Sequence, residues 1–385
     1  MEELNAAFES GSPNGCGVGP VLEKFPGVSR IAVLRGGGMG DLLFALPAIS
    51  ALAAAYPGAR ITLLGTPGHA ELLANTLSPV SEVRVLPVSE GLRPGTADPA
   101  AVEEFFVSME HEEFDLAVQL HGGGRFSNPF LLRLGARHTV GSRTEDAAPL
   151  ERTIPYTYYQ HEPLRGLEVV GLAGAPPVWL EARLRPLERH APVVDELLQS
   201  NIHSHATPVV TIHPGATDPR RRWPAERFGE VAAACAGDGC RVLVVGTAEE
   251  RQLAGEVVAA ASSDGVVSVA GELGVGALAA LLERCDVLLG NDSGPRHLAQ
   301  ALGTPTVGLF WVGNLINAGP LGRSQHRIHL SWATQCPECG ADITQVGWTA
   351  ARCEHDTSLL AGINAADVYR DVRLFTATSP PAHGR

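Results

Sequence analysis

The sequence has no uninterrupted apolar stretch of the length that a membrane-spanning helix requires, about 18 residues or more. Aromatic residues make up only 5% of the chain and charged residues 18%, whereas 45% of the residues are hydrophobic. We therefore expect a soluble globular protein without a transmembrane segment. At 385 residues, the chain is long for a single core and suits two domains of ordinary size.

Basic residues are also scarce, with 29 Lys and Arg against 42 Asp and Glu and a net charge of −13. Proteins that bind nucleic acid need a clustered basic footprint, so a nucleic-acid partner is not expected. The first 27 residues contain neither a basic n-region nor an apolar h-region, so we expect no secretory signal. A cytoplasmic location is the resulting expectation.

The seven cysteines are too scattered for a disulfide scaffold. Only one group stands out, in which Cys336-Pro-Glu-Cys339-Gly has the form of a zinc knuckle and Cys353 and His355 follow. These four side chains have the composition of a Cys3His structural zinc site. Free cysteines in a loop are the alternative interpretation of the same pattern.

Short apolar runs alternate with helical patterns along the chain, which is typical of parallel α/β architecture. Strands are predicted at 30–34, 60–64, 82–86, 116–120, 209–213, 242–245, 266–269, 287–289 and 306–310. Helices are predicted at 42–56, 101–109, 225–236, 249–261, 275–283 and 295–302. The fold class is therefore α/β with two Rossmann-like halves, joined near residues 175–190, where the chain is rich in proline and lacks a clean period.

Residues 35–41 read RGGGMGD and follow the first predicted strand. Their glycines do not match the dinucleotide fingerprint Gly-x-Gly-x-x-Gly, and no Gly-Lys-Ser/Thr ending makes a P-loop. The loop instead presents Asp41 at the start of a helix, where an aspartate is also a favoured cap. Pro47 predicts that this helix is kinked or begins late, which favours a projecting carboxylate.

Two segments of the second half have the features of an anion site. Residues 220–222 are three arginines just before a helix opened by Pro224, a combination suited to a phosphate or diphosphate. Asp292, Ser293, Gly294 and His297 follow another strand, and the N–H groups at that helix start are available to phosphate oxygens.

A second glycine cluster, at 119–129, carries His121, Arg125 and Asn128 after the fourth predicted strand. These side chains are suited to hydrogen-bonding the hydroxyl or phosphate groups of a ligand. An ordinary strand-end loop explains the cluster equally well.

Three quoted segments together resemble glycosyltransferase family 9, the ADP-heptose:lipopolysaccharide heptosyltransferases. They are GGGMGDLLFALPA, then HPGA followed by RRRWPAERF, then NDSGPRHLAQALGTPTVGLF, in order between Arg30 and Phe310. The resemblance implies a GT-B fold of two facing Rossmann-like domains with a cleft between them. It also implies an inverting glycosyltransferase that needs no metal for catalysis.

The resemblance also assigns site residues. It implies that Asp41 is the general base on the acceptor hydroxyl. Gly40, His121, Arg125 and Asn128 are the candidate contacts of the acceptor. Arg221, with Arg222 next to it, stands where the family usually has a lysine on the donor phosphate, which changes the reach and geometry of the contact. Glu250 matches the position that contacts the nucleotide ribose. Asp292, Ser293, Gly294 and His297 match the segment that holds the diphosphate.

The expected organisation is a flexible tail at 1–27, an acceptor-binding domain at 28–180, a donor-binding domain at 181–372 and a second tail at 373–385. The expected partners are a nucleotide-diphosphate sugar and a saccharide, lipid-linked or small-molecule acceptor. A lipopolysaccharide acceptor would place the enzyme at the inner face of the cytoplasmic membrane, although no basic amphipathic helix is evident. A sugar-nucleotide epimerase of the same fold and a non-catalytic nucleotide-sugar binding protein are the alternatives.

Overall fold

The computed structural model describes residues 17–199, 207–344 and 351–377. The chain divides into two compact units, with the boundary between Leu184 and Arg185. Each unit is a parallel sheet flanked by helices. Of the two terminal segments that the sequence assigns to tails, residues 1–16 and 378–385 lie outside the described residues.

The N-terminal unit contains a six-stranded parallel sheet with the order β4-β2-β1-β5-β6-β7. The strands of this unit are β1 (Arg30–Leu34), β2 (Arg60–Gly65), β3 (Thr76–Leu77), β4 (Glu82–Val85), β5 (Leu116–Gln119), β6 (His138–Arg143) and β7 (Arg152–Pro155). The short strand β3 lies outside the six-stranded sheet. Its helices are α1 (Met39–Ala55), α2 (Pro67–Ala74), α3 (Pro99–Met109), α4 (Ser127–Leu132) and α5 (Glu162–Gly171), with a 3-10 turn at Glu110–Glu112.

The C-terminal unit repeats this plan with the order β11-β10-β9-β12-β13-β14, again all parallel. The strands of this unit are β8 (Arg185–Pro186), β9 (Val209–His213), β10 (Arg241–Val244), β11 (Val266–Ser268), β12 (Val287–Asn291), β13 (Thr306–Trp311) and β14 (His326–Ser331). The short strand β8 lies outside the six-stranded sheet. Its helices are α6 (Ala191–Gln199), α7 (Ala225–Gly237), α8 (Arg251–Ala261), α9 (Val275–Arg284), α10 (Gly294–Ala301), α11 (Val312–Ala318) and α12 (Ala365–Thr376), with 3-10 turns at Glu188–His190 and Pro219–Arg221.

In both sheets the chain builds outward from one central strand and then crosses to that strand's other side. The switch falls between β1 and β5 in the first sheet and between β9 and β12 in the second. Ligands of open α/β sheets bind beyond the carboxyl ends of the strands at such a switch point. The loops that follow these four strands are therefore the first places to look for function.

Burial explains why the central strands are easy to recognise in the sequence. Residues 31–34 of β1 are almost completely buried, as are residues 287–289 of β12, because helices cover both faces of a parallel sheet. A strand buried on both sides reads as a continuous apolar run rather than as an alternating pattern. The predicted α/β class with two Rossmann-like halves is confirmed.

The prediction missed the strands at one edge of each sheet, β6, β7 and β14. In β6 a glycine and polar residues interrupt the apolar run, so no pattern marks it as a strand. The described parts of the two predicted tail segments, residues 17–27 and 373–377, make contacts with the rest of their units or continue a helix. The Leu22 N–H donates to the Gly171 carbonyl at 2.9 Å, buried Phe25 stacks on His138 at 4.0 Å, and α12 extends to Thr376.

Candidate active site

The loop after β1 leads directly into α1 and fixes Asp41 as the third residue of that helix. Asp41 Oδ2 accepts a hydrogen bond from the Gly38 N–H at 2.8 Å, which is the reciprocal half of a capping box. The expectation that the helix begins late is wrong, since α1 begins at Met39 and continues through Pro47, whereas the alternative, a kink at Pro47, stays a prediction. Buried packing along α1 outweighs the one hydrogen bond that Pro47 cannot donate.

Asp41 therefore both caps its helix and projects its carboxylate. Its Oδ1 accepts a hydrogen bond from Arg35 Nη2 at 2.6 Å, yet 44% of the side chain stays exposed to solvent. Burial raises the pKa of Asp41, whereas the cation of Arg35 and the hydrogen bond from the Gly38 N–H lower it. The lowering effects are together larger, so the pKa lies below the usual range. At neutral pH the carboxylate is ionised and has an accessible face, as a proton acceptor requires.

Arg35 is one residue of this site that the sequence prediction left without a role. It is buried, and its guanidinium contacts Asp41, the Leu120 carbonyl and, at 3.4 Å, Glu162 Oε2 on α5. Arg165 pairs with Glu162 from one turn along the same helix. A buried guanidinium is stable only when anionic or carbonyl partners surround it. The pairing of Arg35 with Asp41 therefore fixes the position of the Asp41 carboxylate. Its position just after a strand, in the quoted RGGGMGD segment, was the available signal.

Two histidines brace the same loop. His121 Nδ1 accepts from the Gly36 N–H at 3.2 Å, and His121 Nε2 donates to the Gly91 carbonyl at 2.8 Å. His69, which the prediction did not include, accepts from the Thr66 N–H at 3.3 Å and donates to the Gly38 carbonyl at 2.9 Å. Burial lowers the pKa of both imidazoles, so each ring is the neutral Nε2–H tautomer that these partners require.

The second glycine cluster separates into a structural and an exposed part. Asn128 is fully buried, and its amide donates to the Ala148 carbonyl at 2.8 Å, so it shapes the loop and lies out of reach of an acceptor. Arg125 is exposed, with Asp146 at 3.6 Å and the Phe126 ring below its guanidinium at 5.2 Å. Only the arginine offers a group that an acceptor could contact directly.

In the C-terminal unit, Asn291 at the end of β12 holds residues 214–223, the loop after β9 that carries the three arginines and is called the arginine loop below. Its Nδ2 donates to the Pro214 carbonyl at 2.7 Å, and its Oδ1 accepts from the Trp223 N–H at 3.0 Å. The two ends of the arginine-bearing loop are therefore fastened to one fully buried amide at the sheet's switch point. The prediction did not assign Asn291, although it lies one residue before the predicted site residue Asp292.

Asp292 is the centre of a buried polar network. Its carboxylate accepts from His297 Nε2 at 2.9 Å, from Asn314 Nδ2 at 2.6 Å and from Arg221 Nη1 at 3.3 Å. Burial raises the pKa of Asp292, but His297 and the guanidinium groups of Arg296 and Arg221 hold it well below the usual range. The network fixes Arg221 while leaving 27% of its side chain exposed. Asp292 and His297 are thus largely hidden supports for a more accessible arginine.

A second chain of polar contacts links the three central loops of this sheet. Ser293, the N-cap of α10, lies with its Oγ 3.0 Å from His213 Nδ1, and His213 Nε2 lies 3.4 Å from Glu250 Oε2. Glu250 also accepts from the Thr247 N–H at 2.8 Å. The contact with His213 is the main reason that the pKa of Glu250 falls to about 2, against the opposing effect of burial.

His213 was not assigned from the sequence, although it ends β9 in the quoted HPGA segment. Gly215 completes this corner, because a Cβ atom there would overlap the Glu250 carboxylate. Arg222 is held by its Nε, which donates to the Ala216 carbonyl at 2.9 Å. The structure thus gathers Arg221, Arg222, Glu250, Asp292, Ser293, Gly294 and His297 at the carboxyl ends of β9, β10 and β12.

The predicted metal ligands also come together. The ligand atoms of Cys336, Cys339, Cys353 and His355 all lie within 4.8 Å of one another, and no other group of this kind occurs among the described residues. The backbone N–H groups of Cys339 and Glu338 lower the pKa of the Cys336 thiol to about 6. Its sulfur is thereby biased toward the thiolate, the form that binds metals.

Two doubly wound parallel sheets, each with polar groups beyond the carboxyl ends of its central strands, define a GT-B-like glycosyltransferase fold. The profile of glycosyltransferase family 9 (heptosyltransferase) matches residues 102–344, more than half of the chain, and the protein belongs to this family. It is accordingly an enzyme, a glycosyltransferase. The matched range includes the arginine loop but begins after Asp41.

Individual relatives agree with this membership. The chain is 27% identical over 327 residues to lipopolysaccharide heptosyltransferase 1 of Pseudomonas aeruginosa, covering 80% of this chain and 86% of that protein. A family 9 glycosyl transferase from Veillonella parvula superposes with a TM-score of 0.72 at 20% identity, covering 91% of this chain and 98% of that one. Escherichia coli heptosyltransferase WaaC with ADP-2-deoxy-2-fluoro heptose superposes with a TM-score of 0.63 at 17% identity, covering 90% and 99%.

In the part of the chain that the structure describes, no helix combines the length and the apolar character needed to cross a bilayer.

Proposed function

We propose that this enzyme transfers a heptose from ADP-heptose to an acceptor hydroxyl, with inversion at the sugar carbon and Asp41 as the general base. The geometry of Asp41 is the observation that carries the proposal. Its carboxylate is held by the Gly38 N–H and by Arg35, and it still presents an exposed face. The names of the similar proteins, and the ADP-sugar in the WaaC structure, favour ADP-heptose as the donor.

In this mechanism the acceptor oxygen attacks the sugar carbon while the bond from that carbon to the diphosphate oxygen breaks. The acceptor proton passes to Asp41, and ADP leaves with the bonding electrons. A carboxylate with a low pKa is a weak base toward a free hydroxyl. Proton transfer to it becomes favourable as the new bond forms, because the attacking oxygen then becomes strongly acidic.

The leaving diphosphate gains negative charge in the transition state, and the C-terminal domain supplies groups that stabilise it. The guanidinium groups of Arg221 and Arg222 are suited to phosphate oxygens, and the N–H groups at the start of α10, at Ser293 and Gly294, offer further donors. Asp292 and His297 keep Arg221 in position. Glu250 binds the ribose hydroxyls of the nucleotide. No metal takes part in the reaction, and the cysteine cluster serves a structural purpose.

The proposal divides the work between the domains, with residues 28–180 binding the acceptor and residues 181–372 binding the donor. Gly40 and Arg125 are the acceptor contacts, and His121 acts through the loop that it braces. The names of the relatives favour a lipopolysaccharide core as acceptor, which would place the enzyme in the cytoplasm at the inner face of the membrane.

Asp41→Asn tests this function while keeping an oxygen that can accept from the Gly38 N–H. We expect the rate of sugar transfer to fall by roughly 100- to 10,000-fold, as for the loss of a general base, with ADP affinity unchanged. The matched control is Asp98→Asn, since Asp98 also accepts a hydrogen bond from a helix N-terminal N–H, that of Ala100 at 2.9 Å, but is the N-cap of a different helix, α3.

Transfer by Asp41→Asn at the wild-type rate would refute the mechanism. Turnover of ADP-heptose without any acceptor, unaffected by Asp41→Asn, would instead indicate a sugar-nucleotide epimerase. Donor binding without turnover under any condition would indicate a binding protein.

A further inference from the structure

The cysteine cluster has the dimensions and surroundings of a metal site. Cys336 Sγ lies 3.7 Å from His355 Nδ1, and a tetrahedral zinc ion with ordinary bond lengths would separate sulfur and nitrogen ligands by roughly 3.6 Å. The turn that carries two of the ligands is closed by the Gly340 N–H donating to the Cys336 carbonyl at 2.9 Å. Gly340 has φ +72°, a backbone conformation that favours glycine.

A group outside the four ligands supports the same conclusion. Glu338 Oε2 lies 3.5 Å from His355 Nε2, the ring nitrogen on the side away from Cys336. Metal-binding histidines regularly donate their second N–H to a carboxylate, which fixes the ring orientation and increases the basicity of the ligand nitrogen. A disulfide between Cys336 and Cys339 would give His355 no comparable role.

The segment that completes the cluster is also attached to the arginine loop. Within residues 353–359, the Leu359 N–H donates to the Arg220 carbonyl at 2.8 Å, and Ser358 Oγ donates to the Arg222 carbonyl at 2.5 Å. The Thr357 hydroxyl donates to Glu338, so the segment is tied back to the Cys336–Cys339 turn. Residues 353–359 therefore hydrogen-bond to the backbone carbonyls of Arg220 and Arg222, the two residues on either side of Arg221.

We propose that Cys336, Cys339, Cys353 and His355 bind one tetrahedrally coordinated transition-metal ion, and that this ion positions Arg221. Metal binding joins residues 353–359 to the Cys336–Cys339 turn, and that segment then fixes the backbone on both sides of Arg221. The positioning half rests on the proposed function, in which Arg221 binds the donor diphosphate. The four ligands act through Arg221 and do not contact the donor themselves.

The first test measures the metal itself, independently of activity. We expect about one equivalent of metal per chain. Co²⁺ exchanged into the metal-depleted protein should give the visible absorption of a tetrahedral thiolate site. Cys339→Ser should lose both signals, whereas Cys240→Ser, which changes a buried cysteine of the same domain outside the cluster, should keep both. A metal-free native protein, with a Cys336–Cys339 disulfide or free thiols, would overturn the proposal.

The second test measures the coupling by ADP titration calorimetry, with no acceptor present. Removing the metal with a chelator should weaken ADP binding by roughly tenfold or more, and Zn²⁺ should restore it. Ser358→Ala leaves all four ligands intact, so it should retain the metal while weakening ADP binding roughly 3- to 10-fold.

Unchanged ADP affinity, both after metal depletion and in a Ser358→Ala protein that retains its metal, would overturn the positioning role. The failure of the proposed function would look different, because Asp41→Asn would then transfer sugar while the metal and ADP measurements stayed as expected. The chelation experiment and Ser358→Ala also keep the test decisive if Cys339→Ser fails to fold.

Discussion

Gly215→Ala should displace the Glu250 carboxylate without removing it. A Cβ at position 215 would overlap that carboxylate and lie 3.0 Å from the His213 ring. Gly215 does not have a left-handed φ, so alanine adds no backbone strain there. The atoms in the way belong to a side chain that can rotate, and we therefore expect the protein to fold with Glu250 moved out of place.

The structure sets the size of the effect. Glu250 would lose its hydrogen bond from the Thr247 N–H, now 2.8 Å, and its contact with His213 at 3.4 Å. A hydrogen bond to a charged group contributes about 1.5–3 kcal/mol, so we expect a destabilisation of about 1–3 kcal/mol. If Glu250 also binds the ribose, losing a contact of that size should weaken ADP binding by roughly 10- to 100-fold.

Titration calorimetry with ADP and urea unfolding measure these two effects. Gly255→Ala is the matched control, because Gly255 lies within α8 with open space around it and should be stabilised by about 0.5–1 kcal/mol. Glu250→Gln should weaken ADP binding as Gly215→Ala does, and the double variant should add little more. Wild-type ADP affinity in Gly215→Ala would refute the ribose role of Glu250, and unchanged stability would refute the geometry.

Three further predictions concern charge. Arg35→Met should raise the pKa of Asp41, so the acid limb of the kcat/KM profile should move to higher pH. An acid limb that does not move would show that Arg35 does not set the pKa of the catalytic group. The pKa of Glu250 is about 2 in the folded protein instead of 4.5, so its ionised form stabilises the fold, by about 1–2 kcal/mol after solvent screening. This stabilisation is fully present above pH 4.5 and is lost as the pH falls toward 2. The stability gap between wild type and Glu250→Gln in urea unfolding should close over that range. Arg221→Ala should weaken ADP binding more than Arg221→Lys, which keeps the charge but not the paired donors; equal affinities in calorimetry would argue against a phosphate contact.

The fold was predictable because its signals are local. The central strands β1, β5, β9 and β12 are apolar runs, and each ends in a loop whose composition is itself distinctive. The edge strand β14 was not predictable, because most of its residues are only partly buried and polar and apolar residues alternate along it, so no apolar run marks it. The helix through Pro47 shows the reverse case, in which tertiary burial overrides a local breaking signal.

The candidate site was predictable as a set of side chains but not as a network. Asp41, Arg221, Glu250 and Asp292 were identified because each lies in a strand-end segment of unusual composition. Arg35, His69, His213 and Asn291 were not, since a buried residue that supports another is recognised only by its partners. Asn128 illustrates the opposite error, because an exposed amide and a buried one have the same letter in the sequence.

By itself, then, the sequence determined the parallel α/β class, the strand-end loops and the types of chemical group that they carry, because these depend on periodicity and on short stretches of chain. Only the tertiary structure decided which groups meet. It paired Glu162 with the Arg35 that holds Asp41, joined His213 to Glu250 and brought the cysteine cluster against the arginine loop. These contacts join residues that are distant along the chain, and burial and hydrogen-bond geometry exist only once the chain has folded.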